Sequence, residues 1–593
     1  TKGNSGIWRD FSKQNTWTAN AYVNYTKTFA KKHNLNVMAG VNAEEEEYKY
    51  LYGTRNVMYD QEGYPELNMA GKDGQDLSWN HTSRASAGYF GRINYDYKGI
   101  YLLELNGRYD GSSRFPHTDQ WAFFPSASIG YRFSEEAYFA PLKHIVSNGK
   151  LRASFGEIGN EAVGDYMFEQ LISQRLNNKS TGYIYWIENN NANANLLTMY
   201  NMPDLVSSTL TWERIRTLNI GLDLGLLNDE LTIGFDWFQR ENRDMLAPAQ
   251  VLPNTLGASA PYENAGTLRT RGWELNLNWR HTFGDFDVYA NFNIGDSKTK
   301  VTKWDNDSKL LSTYYTGKTY GDIFGFETDR YFEEKDFTSQ NADGSWNYAN
   351  GIASQAGLES GNFHYGPGDV KFKDLDGNGK IDGGKGTADD HGDLKVIGNS
   401  MPRYEYSFHL GGAWKGIDLD LYFQGVGKRE DWTTSSLNLP AMVHADVAIY
   451  SHQTSYNKVL WNSDYTAITG YEVNQGNRYP RLYRGTNNSG GTVSGIANGC
   501  NNYYPQSRYL TDMSYLRLKN VTVGYTLPKE WTRKAYIEKA RIYFSGSNLF
   551  LLHKGNDLPV DPEISTGNGL TAGGWGRIAP ITRTFSFGVQ VTL

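Results

Sequence analysis

Apolar side chains recur at every second position in about fifteen separate stretches of this chain, and no other feature limits its fold so tightly. In GWELNLNWR, Gly272 to Arg280, the residues Trp273, Leu275, Leu277 and Trp279 alternate with Glu274, Asn276, Asn278 and Arg280. Successive strand side chains point to opposite faces, so such a stretch is a strand with one greasy and one wet face. The same beat runs through Trp17, Ala19, Ala21, Val23 and Tyr25, through Leu35 to Val41, and through Leu218 to Leu224 and Leu231 to Trp237. It continues in Phe286 to Ile294 and Ile417 to Phe423, and closes the chain at Phe585, Phe587, Val589, Val591 and Leu593. Long helical periodicity is nearly absent.

A soluble sandwich buries its apolar face against a second sheet, whereas a membrane barrel turns that face to lipid and lines a lumen with the polar one. Connection lengths separate the two. The pattern predicts strands near 14–27, 33–43, 84–95, 98–108, 121–133, 150–158, 215–226, 230–240, 270–281, 284–296, 402–412, 417–426, 513–526, 540–551 and 582–593. Every second junction is short (28–32, 96–97, 227–229, 282–283, 413–416, with 134–149 and 527–539 longer members of the set). The junctions between are long: 44–83, 109–120, 159–214, 241–269, 297–401, 427–512 and 552–581. An up-and-down meander places all short turns on one rim and all long loops on the other, as in outer-membrane barrels with periplasmic turns and extracellular loops. The expected fold is therefore an all-β, transmembrane antiparallel up-and-down barrel. Single-chain bacterial barrels have even strand numbers, so an odd count implies further strands before Thr1.

Composition agrees. No run approaches the roughly 20 apolar residues of a spanning helix, and a mean hydropathy of −0.60 is compatible with alternation that averages out. The 42 Tyr and 16 Trp suit the two membrane–water interfaces, where a ring body is apolar and its tip polar. A net charge of −7 carries no footprint for nucleic acid. Cys500 is the only cysteine, which rules out a disulfide framework and a thiolate zinc site. No signal peptide opens the chain, which reads as a mature or truncated fragment.

Several phrases then occur in a specific order: RYDGSSRF (Arg108–Phe115), WAFFPSASIGYRFSEE (Trp121–Glu136), LRASFGEIGN (Leu151–Asn160), LTWERIRTLNIGLDLGLLNDELTIGFDWF (Leu210–Phe238) and NAGTLRTRGWELNLNW (Asn264–Trp279). GDVKFKDLDGNGKID (Gly368–Asp382), YLRLKNVTVGYTLP (Tyr515–Pro528), RIYFSGSNLFLL (Arg541–Leu552) and the closing RTFSFGVQVTL follow. In order and spacing the chain resembles the SusC/RagA family of TonB-dependent outer-membrane transporters of Bacteroidetes. The resemblance implies a barrel of 22 strands around an N-terminal plug, so that residues 1–593 are barrel, with the plug, the TonB box and about seven strands not included. It also implies a SusD-like surface lipoprotein over the extracellular mouth, energy from the TonB–ExbB–ExbD complex, outer-membrane lipid around the wall, and oligosaccharide or, as the alternative, peptide cargo. The family usually ends on an aromatic residue that the insertion machinery reads. Here Leu593 stands in that place and keeps the apolar register of Phe585, Phe587, Val589 and Val591.

One constellation suggests a metal. In KDLDGNGKIDGGKGTADDHGD, within the long extracellular loop 297–401, Asp374, Asp376, Asn378, Lys380 and Asp382 occupy positions 1, 3, 5, 7 and 9 of an EF-hand-like loop, with Gly379 at position 6. Oxygen ligands at alternate residues, with a backbone carbonyl from Lys380, suit a structural Ca²⁺. Lys385 takes position 12 instead of a bidentate Glu, and Asp389, Asp390 or Asp393 is expected to supply the missing carboxylate. The bland reading is an ion-free turn.

No catalytic motif appears. G-x-S-x-G and H-E-x-x-H are absent, and ahead of the GKT at Gly317–Thr319 Ser312 stands where a phosphate loop needs its first glycine. Neither an enzyme activity nor an organic cofactor is expected. The four glutamates Glu44–Glu47 read as a solvated loop segment past a strand top. Tyr183–Asn195 and Tyr262–Gly266 are loop segments whose rings could stack on sugars, but no substrate ligand is assigned. A soluble β-rich carbohydrate-binding protein or enzyme and a passive porin or adhesin are the competing readings.

Overall fold

The computed structural model describes residues 6–56, 66–71, 75–170, 172, 174–176, 198–200, 203, 205–207, 210–248, 261–360, 363–432, 438–440, 449–482, 501–563 and 581–593. Fifteen strands form one antiparallel sheet in which neighbours in sequence are neighbours in space. They are β1 (Gly6–Phe29), β2 (His33–Asn56), β3 (Asp76–Tyr97), β4 (Tyr101–Ser112), β5 (Trp121–Tyr131), β6 (Val146–Asn160), β7 (Glu213–Leu226) and β8 (Leu231–Pro248). Then follow β9 (Tyr262–Phe283), β10 (Phe286–Lys303), β11 (Arg403–Trp414), β12 (Ile417–Lys428), β13 (Tyr515–Thr526), β14 (Lys539–Lys554) and β15 (Thr584–Thr592). Each expected strand is present. Among the described residues β1 and β15 are the sheet's two edges.

Among the described residues no second sheet covers the apolar face. Val23 is 73 % exposed, Ile129 60 % and Phe587 83 %. The three clusters of buried apolar residues belong to the long-loop rim and the connections beyond it. A soluble protein would not leave a continuous apolar face of this size in water, so the face is the lipid-facing surface of a barrel wall. The strands also outrun the membrane. At roughly 3.3 Å per residue, the 24 residues of β1 extend about 80 Å, whereas about 9–11 residues cross a bilayer.

That length corrects two sequence expectations. Glu44–Glu47 belong to β2, not to a loop, and pair with Thr18 to Asn15 of β1 and Ser86 to Ser83 of β3. Trp17 Nε1 donates to Glu45 at 2.8 Å, and Arg84 Nη2 to Glu46 at 2.7 Å. Tyr262–Gly266 likewise opens β9 instead of lying in a loop. Above the membrane a strand needs no greasy face, so its alternation disappears while its hydrogen-bond ladder persists. Tyr183–Asn195 and Cys500 lie outside the described residues.

Part of the aromatic excess has a role that composition did not reveal. Phe90, Phe238, Tyr289 and Tyr543 lie on the inward face directly across from Gly40, Gly272, Gly411 and Gly588. Each ring occupies the space that a Cβ on its partner glycine would need. Cross-strand pairing of an aromatic with glycine fixes register and lets the ring lie flat against the wall.

Candidate functional site

The inward face is a grid of paired polar groups. Arg152 on β6 is held by carboxylates from the next two strands, donating to Asp236 of β8 from Nη1 at 2.6 Å and to Asp223 of β7 from Nε at 3.0 Å. Arg108 donates to Asp110 at 2.8 Å and to Asn42 at 3.1 Å, and Arg92 to Asn106 at 2.8 Å. Across the sheet, His409 Nε2 lies 2.6 Å from Asp420, which also accepts from Tyr289, and Arg541 pairs with Asp418. The pleat makes these residues the wet partners of the lipid-facing series. A charge inside a barrel wall is tolerated when paired and facing water, and the pairs leave a hydrophilic surface along which polar solute can move.

At the long-loop rim, the described residues of the connections 304–402 and 429–514 build one body. Its core includes Phe326, Tyr331, Phe332, Phe363, Tyr365 and Phe372 from the first and Tyr479, Tyr503 and Tyr509 from the second. Phe326 N donates to Pro505 O at 2.8 Å, joining the two backbones. At the centre lies Asp369, 0 % exposed. Its carboxylate accepts from Arg481 Nε at 2.8 Å and Nη2 at 2.6 Å, from Asn502 Nδ2 at 2.8 Å and from Gly366 N at 2.8 Å. Asn502 returns a bond by accepting from Val370 N at 2.8 Å. Pairing and full hydrogen bonding make a buried carboxylate tolerable. Sequence reasoning missed this stitch because Asp369 and Arg481 are 112 residues apart.

Where the second connection leaves the wall, Glu430–Asp431 pairs with Thr511–Asp512. Burial pushes the Asp431 carboxyl up to about 6, against a weaker opposing pull from Arg429. On the exposed flank of the module, Lys373 and Lys395 donate to Glu327 and hold its carboxyl down at about 2.

The acidic loop lies in this module, pinned by Ser354 N donating to Gly379 O at 3.0 Å and Ile381 N to Ser354 O at 2.8 Å. Carboxylate oxygens of Asp374, Asp376 and Asp393 come within 4.8 Å of one another. The other expected ligands are engaged differently. Asn378 Oδ1 accepts from Lys380 N at 2.7 Å, and Asp382 Oδ1 from Gly384 N at 2.8 Å. Asp389 pairs with Lys309 at 2.9 Å and Asp390 with Lys385 at 3.5 Å. Asp393 accepts from Leu375 N and Asp382 N at 2.6 and 2.9 Å. At the β15 edge of the described sheet, Phe585, Phe587, Val589 and Val591 are exposed on the apolar side of β15 with Leu593 exposed just past its end, and Phe544 packs against the first two.

These features agree with comparison to known proteins. A family model described as "TonB dependent receptor-like, beta-barrel" matches residues 2–389. TonB-dependent receptor P3 of Formosa agariphila is 27% identical over 97% of this chain and 52% of its own length. TonB-dependent receptor SusC of Bacteroides thetaiotaomicron is 25% identical over 92% of this chain and 48% of its own. The chain thus spans about half the length of the curated relatives it matches. Among solved structures, the RagAB peptide transporter superposes with a TM-score of 0.70 at 18% identity, over 99% of this chain and 56% of that one, a likeness of fold. One meandering sheet with its apolar side outward, polar pairs inward and long connections gathered on one rim matches that family model over most of its length, and the chain belongs to the TonB-dependent receptor β-barrel family of the outer membrane.

Proposed function

We propose that this chain forms the wall and mouth of a SusC/RagA-type importer that draws oligosaccharides across the outer membrane. In this reading a SusD-like lipoprotein closes over the extracellular module, and the TonB–ExbB–ExbD complex pulls on a plug carried by the rest of the receptor. The observation that carries the proposal is the inward polar grid topped by the packed core that the described residues of the two connections share. Together they offer a hydrophilic route and a stable rim on which a lid can seat. Cargo passes along the wall through hydrogen bonds that the paired groups exchange for water, so no covalent step is needed. Likeness in fold to the RagAB peptide transporter supports a second reading in which the cargo is a peptide. A structural Ca²⁺ held by Asp374, Asp376 and Asp393 would stiffen the module and take no part in transport.

Uptake in a strain lacking the receptor gene, complemented with the gene, tests the proposal. Labelled oligosaccharides should enter only in complemented cells with functional TonB, and labelled peptides of similar mass should not. TonB-independent entry of either cargo would overturn active import, and entry of peptides alone would transfer the assignment to the second reading.

A further inference from the structure

The outward face of β8, β9 and β10 changes character sharply just above the lipid band. Trp237 and Trp273 sit directly across from one another at its upper edge. One pleat further toward the long-loop rim, Gln239 pairs with Arg271 and Arg271 with Lys298. One pleat beyond that, Glu241 pairs with Arg269 and Arg269 with Lys300. The intervening positions confirm which way these side chains point. Thr270 and Thr299 share a 2.7 Å hydroxyl–hydroxyl bond on the inward face, so Arg269, Arg271, Lys298 and Lys300 are turned outward, continuous with the lipid-facing series.

Charge here is unbalanced. Glu241 is shared by Arg243 and Arg269, each at 2.6 Å. Arg271 Nε finds the Gln239 amide oxygen at 2.7 Å. Among the described residues no carboxylate lies within ion-pair distance of Arg271, Lys298 or Lys300. The nearest outward acid below them, Asp296, is engaged by Arg403. Like charges directly opposite each other on adjacent strands repel, and among the described residues no carboxylate offsets that repulsion at Arg271, Lys298 or Lys300. Five cations stand against one carboxylate, and Arg271, Lys298 and Lys300 are exposed.

Height identifies what neutralises them. Tryptophan marks the membrane–water interface, and one pleat is roughly 7 Å of strand. The cations therefore stand at the level of lipid headgroups on the extracellular side, where the phosphates of a phosphorylated lipid lie. Guanidinium and ammonium groups are the usual partners of phosphate at a membrane surface. We propose that Arg269, Arg271, Lys298 and Lys300 form an anchoring site for the phosphate groups of an anionic lipid in the extracellular leaflet. The lipid's acyl chains pack on the apolar band below, and its phosphates offset the stacked cations. The site requires only that the chain sits in the outer membrane and is independent of what the receptor carries.

The test uses the intact receptor, purified in detergent after loading from vesicles that contain a bisphosphorylated glycolipid or its dephosphorylated form. The double variant Arg271→Gln/Lys298→Gln changes exposed residues only, and its heat-modifiable gel migration should match wild type. Wild type should retain the phosphorylated lipid through detergent exchange at least about tenfold better than the variant, while both hold the dephosphorylated lipid equally. Lys298→Arg alone, which keeps the charge, should retain the phosphorylated lipid as wild type does. Equal retention of phosphorylated lipid by wild type and double variant would overturn the proposal. So would complete displacement by inorganic phosphate alone, which would make this a free-anion site. Loss of an acidic protein partner from the variant, with lipid retention unchanged, would overturn it as well.

Discussion

Replacing Arg481 by alanine should open the extracellular module without unfolding the barrel. The change removes two charge-assisted bonds to Asp369, at 2.8 and 2.6 Å, and one to His364 O at 2.8 Å. Asp369 would keep Asn502 and Gly366 but lose its countercharge while wholly buried. Stranding one partner of a buried pair costs about 3–5 kcal/mol. At about 1.4 kcal/mol per decade, the equilibrium for opening the two connections should shift by roughly two to three and a half powers of ten. Hydrogen exchange of amides in Phe326, Val370 and Phe372 reports that opening, and heat-modifiable migration of the intact receptor reports the wall separately. The double variant Asp369→Asn/Arg481→Met should cost less than Arg481→Ala alone, since neither charge is then left unpaired. A shift below about 1 kcal/mol for Arg481→Ala, or an equal loss of the barrel's own stability, would refute the view that this pair stitches a module that opens independently of the sheet.

Leu277→Arg places a charge on the lipid side of β9 and should destabilise the barrel by about 2–4 kcal/mol, while Asn278→Arg on the wet side should be nearly neutral; equal costs in denaturant titrations of vesicle-inserted receptor would contradict the facial assignment. Asp431 predicts a pH dependence. Because burial raises its folded value to about 6 from 3.8, the stability it contributes is fully present below pH 3.8 and lost as pH rises through about 6. Asp431→Asn should remove that slope, read by hydrogen exchange of the module; an unchanged slope would rule Asp431 out as its source. Calcium should bind the intact receptor in calorimetry with a Kd of roughly 10⁻⁴ to 10⁻³ M, and Asp376→Asn should abolish the heat; absence of any Ca²⁺-dependent heat in wild type at millimolar concentrations would leave the loop an ion-free turn.

The period-2 beat determined the number of strands, which face of each meets lipid and, through connection lengths, which rim is extracellular. All of these are local properties, because side-chain direction in a strand depends on nothing beyond the pleat. Strand tops were illegible at Glu44–Glu47 and Tyr262–Gly266, where a wall above the bilayer needs hydrogen bonds but no greasy face. The acidic loop was visible as a motif, yet the convergence of Asp393 with Asp374 and Asp376 depends on how residues 380–393 fold back. Asp369 meeting Arg481, and Arg271 standing opposite Lys298, were decided by tertiary structure alone. Such meetings depend on cross-strand register and on the docking of distant connections, and a linear pattern holds neither until the chain has closed on itself.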